Sequence, residues 1–389
     1  MLSEMLFSFL LLTVILLLCL ENPYWAVAAG GVAGLAFLTR TAGIALLPAA
    51  VVYYFLFGSR KRKFHQMAFF AAGMMPSALG WAKWSMSNRT SGDDPVTLYY
   101  SNYFGHFLAN FHWKEAHLYL WKNVDGMLHG LGAFLLPNVS QSLLDKVLAV
   151  SLGIAGVLGV IRMVRANRSK AILPYAIFAA FYCFLLAIWH FPPTERFMLP
   201  VAPLWLVGLY VELMHVAGNI VKVYRKPERS QKIAGGAIAG LFVILFAVCG
   251  VTQWDLLANG LPRYYDDHAR RLEESEPAMA WIRENLPAEA RIYSENDPLL
   301  YLRTGRRGAR MFPETIHWYR QDQAAATADL ANAAMHARAL KLDYLLFNDW
   351  DWARDMPAGE HEKLIGELKK DPRLVKLFVA GPTAVFSVR

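Results

Sequence analysis

The sequence predicts an α-helical membrane domain of about eight spanning helices, followed by a small α/β domain outside the membrane. Three observations predict it. The 389 residues are 56% hydrophobic and only 18% charged, too apolar for an ordinary soluble chain of this length. The apolar residues gather into runs long enough to cross a bilayer. Those runs fill the first two thirds, and polar sequence fills the rest. The boundary gives a membrane domain over 1–254, with a long outer loop at 85–142, and an α/β domain over 255–389.

A net charge of +8 would suit nucleic acid. The basic residues instead sit largely in short loops between apolar runs, which is a topology signal. No nucleic-acid partner is expected. Cys19, Cys183 and Cys249 all lie inside apolar runs. They read as small core residues, not as a disulfide framework or a metal site.

Residues 4–20 form the first run. It starts at Ser3-Glu4 without a basic leader, and Glu21-Asn22-Pro23 is a poor cleavage site, so it reads as a span and not as a signal peptide. Runs at 24–39 and 42–58 follow, joined at Thr39-Arg40-Thr41. Gly30, Gly31 and Gly34 allow close helix approach. A fourth span covers 66–84, with Pro76 expected to kink it. The 85–142 loop holds Asp93-Asp94-Pro95 and a run of aromatics that includes Tyr99 and Tyr100. Helical apolar spacing over 118–136 marks an interfacial helix. Further spans are expected at 143–163, 172–191, 197–217 and 233–254.

The basic loops Arg60–Lys63, Arg165–Lys170 and Lys222–Lys232 should be cytoplasmic. The N-terminus, Arg40, Lys83, the aromatic loop, the island at His190–Arg196 and everything after 255 then share the outer face. That island, Trp189-His190-Phe191-Pro192-Pro193-Thr194-Glu195-Arg196, places a His, a Glu and an Arg at a membrane edge, where charges need partners. An Arg there suits gripping a phosphate with its planar fork of donors.

In the last third, helices are expected at Glu276–Asn285, Pro298–Thr304, Ala324–Leu340 and Glu360–Lys370. Strands are expected at Ala290–Ser294, Tyr344–Asn348, Val375–Ala380 and Thr383–Val388. No Gly-rich phosphate loop, serine elbow or metal spacing is present. Asp349, Trp350, Asp351 and Trp352 have the residue types of a sugar site. They are read here in preference as a surface loop after a strand.

Several segments resemble one family. Gly34-Leu35-Ala36-Phe37-Leu38-Thr39-Arg40, Glu195-Arg196-Phe197-Met198-Leu199-Pro200-Val201-Ala202-Pro203 with His190 before it, the Ser3-Glu4 helix start, Trp281–Pro287 and Tyr301–Arg306 occur in an order similar to that of GT-C glycosyltransferases. These are the bacterial relatives of protein O-mannosyltransferases and of the aminoarabinose transferase. The matches are short and degenerate but run along most of the chain. The resemblance implies a multi-pass protein of a bacterial inner membrane that moves a sugar from a polyprenyl-phosphate donor to an acceptor lipid, protein or glycan at the outer face.

In that reading Arg196, then Arg40, bind the donor phosphate and stabilise it as a leaving group. Glu195 orients Arg196, His190 adds a hydrogen bond, and Tyr99 and Tyr100 contact the acceptor or sugar. No cofactor is identified, and a divalent metal stays open. The family's catalytic acid lies in the first outer loop near its N-terminus. Here the chain starts outside, so three leading spans are expected upstream. Asp93, Asp94 and Glu4 are the substitutes within the chain, although a turn role for the Asp pair and a cap role for Glu4 compete. Two alternatives stand beside the enzyme: a non-catalytic homologue binding lipid-linked sugar or a partner subunit, and a transporter. No charges or broken helices lie at mid-membrane, which counts against the last.

Overall fold

The structure is a computed structural model. It describes residues 2–20, 22–88, 111–136, 143–166, 171–189, 192–223, scattered positions between 233 and 251, 253–353 and 356–389. The chain divides into two units: residues 1–88 with 119–255, and residues 89–118 with 256–389.

The first unit is helical. Its helices are α1 (Leu2–Leu18), α2 (Pro23–Thr39), α3 (Leu46–Phe57), α4 (Lys63–Ser87), α5 (Ala116–Ala133), α6 (Leu143–Arg165), α7 (Ile172–Ala187), α8 (Glu195–Met198) and α9 (Ala202–Val223); α5 starts in the second unit and runs into the first. Asn22 caps α2, its side chain accepting from the Tyr24 N–H at 3.0 Å, and Pro23 opens the helix.

Glycines set the packing. An added methyl on Gly30 would strike the Phe70 carbonyl, and one on Gly73 the Val27 carbonyl, so α2 and α4 meet backbone to backbone. Gly159 and Gly208 bring α6 and α9 together in the same way, and Gly156 makes room for the Trp205 ring. Trp205 Nε1 donates to the Gly153 carbonyl at 3.2 Å, and Arg162 grips Glu212 through two bonds of 2.9 and 3.1 Å. Phe7, Phe178 and Tyr182 form an aromatic trio between α1 and α7.

The expectation of about eight spanning helices is corrected. Among the described residues, one helix, α6, is long and apolar enough to cross a membrane. The runs at 4–20, 24–39 and 172–191 fold as helices of 17, 17 and 16 residues. At a rise of ~1.5 Å per residue these reach about 25 Å, short of a hydrocarbon core of about 30 Å. The run at 42–58 opens with a 3-10 turn, Thr41–Ala45, before α3. α4 is long but carries Lys63, His65, Gln66 and Lys83. The 197–217 run is broken between α8 and α9, and α9 carries Glu212, His215 and Asn219. The run at 233–254 lies largely outside the described residues.

The second unit contains a five-stranded sheet: β1 (Arg291–Ser294), β2 (Arg307–Arg310), β3 (Tyr344–Asn348), β4 (Leu374–Ala380) and β5 (Thr383–Val388), ordered β2-β1-β3-β5-β4. β1 runs parallel to β2 and β3, while β5 is antiparallel to β3 and β4. Side chains alternate across it. Ile292, Leu346 and Val385 pack on α10 (Leu261–Asn285) through Ala278, Met279 and Ile282. Tyr293, Leu345, Phe347 and Phe386 pack on the other face. There they meet α13 (Gln323–Ala331), α14 (Ala333–Ala339) and α15 (Ala358–Lys370) through Leu330, Ala334, Ala337 and Leu364.

The helix expected over Pro298–Thr304 is α11 (Asp297–Thr304), stopped by Gly305 at φ 70°. The single helix expected over Ala324–Leu340 is two, because Asn332 interrupts it. β2 and the short α12 (Thr315–Arg320) went unread in the sequence. Arg320 pairs with Glu115 at the start of the chain that leads into α5.

Candidate anion site at Glu4, Arg40 and Arg196

Three chain segments place this site. Glu4 lies in the first turn of α1, and its side chain is only 6% exposed. Ser3 Oγ donates to Glu4 Oε2 at 2.8 Å, and Ser8 Oγ to the Glu4 carbonyl at 2.8 Å. Arg40 caps the C-terminus of α2, where extended backbone (φ −147°) turns its side chain off the helix. Its Nη1 donates to Glu4 Oε1 at 3.1 Å. Arg196 in α8 brings its Nε to 3.8 Å from the same oxygen. Both guanidinium carbons lie 5.1 Å from the centroid of the Phe197 ring.

The segment that carries Arg196 is tied down. Tyr182 donates to the Phe197 carbonyl at 2.7 Å, and Tyr175 to the Pro200 carbonyl at 2.6 Å. Asn123, fully buried on α5, donates to the carbonyls of Ala187 and Trp189 at 3.0 and 2.7 Å. Gly126 and Gly130 give the chain room at Pro193 and Glu195. These anchors satisfy carbonyls at and just past the ends of α7 and α8, where no intrahelical partner is available.

Among the described residues, the guanidiniums of Arg40 and Arg196 face the Glu4 carboxylate. Arg40 is 15% exposed and Arg196 60% exposed. Arg40 is thus the fixed cation and Arg196 the accessible one. A planar fork held this way suits an oxyanion with several acceptor oxygens.

Arg196 and Arg40, named as phosphate ligands, come together here, and Glu4 joins them. The carboxylate beside Arg196 is Glu4; the Glu195 side chain is exposed. His190, Asp93, Asp94, Tyr99 and Tyr100 lie outside the described residues. Among the described residues no three His, Cys, Asp or Glu side chains are grouped to hold a metal.

Asn123 and Phe197 were missed by sequence reading. A lone Asn on an amphipathic helix carries no signal that it will be buried. The Asp349–Trp352 loop is also corrected. Asp351 and Trp352 are each 2% exposed, so it is not a surface loop, although Asp349 pairs outward with Lys369 at 3.0 Å. Comparison of the chain with known protein families and with curated proteins found no match.

Proposed function

We propose that this chain is a membrane-bound glycosyltransferase that takes a sugar from a polyprenyl-phosphate donor. The observation that carries this reading is the pair of guanidiniums around Phe197, fixed by one buried carboxylate. A lipid phosphate would rest on Arg196 and Arg40. As the anomeric carbon–oxygen bond breaks, negative charge grows on that phosphate, and preorganised donors stabilise it. The acceptor hydroxyl forms the new bond and gives its proton to a carboxylate base.

Membrane attachment is supported by α6 and by the apolar side chains it exposes: Val147, Ile154, Leu158 and Ile161 recur at helical spacing. Glu4, buried and paired with Arg40, serves as the counter-ion in this reading, which leaves Asp93 and Asp94 as candidates for the base. The same pairing of Glu4 favours a second reading, in which the chain binds the lipid-linked sugar without transferring it.

The test is transfer from a radiolabelled polyprenyl-phosphate sugar by membranes carrying the chain. Arg196→Ala is expected to lower transfer by about 10²–10³-fold, the range for loss of one oxyanion donor. Full transfer by Arg196→Ala would end the proposal. Retained binding of polyprenyl phosphate, lost in Arg196→Ala, with no transfer to any acceptor, would select the second reading.

A further inference from the structure

The second unit has a crevice at the carboxyl ends of β1 and β3. The chain leaves β1 through α11 to β2 on one side, and later returns to β3 on the other. Connections therefore diverge above this strand pair, where open α/β sheets take their ligands. The crevice measures about 200 Å³. Its floor is the chain at the end of each strand, Ser294-Glu295-Asn296 from β1 and Asn348, Trp350, Asp351 and Trp352 from β3. One wall is a face of α10, where Tyr264, Asp267, His268 and Arg271 recur at helical spacing.

The floor is built, not incidental. Asp351 Oδ2 accepts from the Asn348 N–H at 2.8 Å, and Asn348 Nδ2 reaches both carboxyl oxygens at 3.2 and 3.3 Å. Thr383 Oγ1 donates to Asn348 Oδ1 at 2.8 Å. Glu295 hydrogen-bonds the Asp351 carboxyl from the β1 side. Burial, and then the Glu295 charge, hold Asp351 well above the usual carboxylate range. Trp352 sits at φ 65°, a backbone conformation costly for a bulky side chain. Its indole N–H is buried without a hydrogen-bond partner, and the residue lines the crevice.

The lining selects the ligand. The chain after β1 has no glycine-rich phosphate turn, and Glu295 and Asp297 put negative charge where a phosphate would lie. Asp267 is neutralised by Arg270 at 2.6 Å and Arg271 at 3.1 Å, and Arg271 also lies over the Trp350 ring at 5.8 Å. What remains is the Glu295 and Asp351 carboxyl groups side by side, the amides of Asn296 and Asn348, and the rings of Trp350 and Trp352. Sugar hydroxyls match such donors and acceptors, and the C–H face of a pyranose matches a ring.

We propose that the crevice between the carboxyl ends of β1 and β3 binds a pyranose unit of a glycan, with Glu295 and Asp351 on its hydroxyls and Trp350 against its C–H face. The proposal does not rest on the anion site of the other unit.

The full chain, purified in a sugar-free polyoxyethylene detergent, is titrated with methyl α-mannopyranoside, methyl β-glucopyranoside and N-acetylglucosamine. Saturation-transfer NMR and tryptophan fluorescence read the binding. At least one pyranoside should bind with a Kd on the order of 1 mM. Glu295→Gln and Trp350→Ala should each weaken it about tenfold, Trp350→Phe should restore it, and Arg196→Ala should leave it unchanged. Thermal unfolding checks that each variant folds; where Trp350→Ala does not, Glu295→Gln decides. No binding of any of the three sugars, equal binding by the folded variants, or competition by inorganic phosphate would overturn the proposal.

Discussion

Glu4 and Arg40 meet at 3.1 Å across 36 residues of sequence, one in the first turn of a helix and the other just past the end of the next. The contact joins α1 to the end of α2 and gives Arg196 a fixed neighbour. It is largely removed from water, so its loss should be felt in stability as well as in ligand binding.

Replacing Glu4 with Gln leaves the partly buried Arg40 without its counter-ion. An expected loss of about 1–3 kcal/mol follows from leaving a partly buried donor unsatisfied. Glu4→Gln/Arg40→Gln should lose less than the sum of the two single variants. Denaturant unfolding of all four forms in detergent gives the coupling; strictly additive losses would show that the pair contributes nothing.

Gly159 faces the Gly208 carbonyl, where a methyl group has no room. Gly159→Ala should destabilise the α6–α9 contact by about 1–3 kcal/mol through overpacking. Gly31, in α2, has open space around its missing Cβ. Gly31→Ala should therefore be neutral or stabilise by up to about 1 kcal/mol, the helix preference of Ala over Gly. Paired thermal melts compare the two.

Asp297 is 7% exposed at the start of α11, and burial raises its carboxyl from 3.8 to about 6. The native state then holds a proton that the unfolded chain releases. Stability should fall as pH rises from about 4 to 6 and level off above, by ~1–3 kcal/mol in all. Asp297→Asn should flatten that slope, read as melting temperature against pH.

Asp329 and His336 form an ion pair at 3.0 Å. Hydrogen bonding to Asp329 raises His336 above 6.5. Burial opposes ionisation of Asp329, but the bonds from His336 and the Glu314 N–H hold it below 3.8. The His contribution is complete below 6.5 and fades as pH rises through its higher folded value. The Asp contribution is complete above 3.8 and fades as pH falls through its lower one. Their combined gain, about 1 kcal/mol, should be full between those limits. His336→Gln should remove it there and change little at pH 9.

Much of the second unit was legible from local signals. Tyr344-Leu345-Leu346-Phe347-Asn348 reads as a strand because its apolar residues need burial on both faces, and it is β3. Gly305 marks the end of α11 because it can adopt a positive φ without strain. β2 was illegible: its Arg307-Gly308-Ala309-Arg310 has no strand propensity, and parallel pairing with β1 makes it a strand.

The sequence by itself determined where the chain is apolar, where its acids and arginines stand, and most helix and strand centres, since these follow from side-chain chemistry at short range. It overcounted the membrane spans, because an apolar run does not reveal where its helix will stop or break. The tertiary structure alone decided that Glu4, Arg40 and Arg196 share one oxygen, that Asn123 is buried beneath the Arg196 segment, and that Asp351 turns inward to Glu295. Each of these depends on backbones that approach across tens to hundreds of residues. Such approaches are set by packing, at glycines such as Gly130 and at strand pairs such as β1 and β3, and no local pattern encodes them.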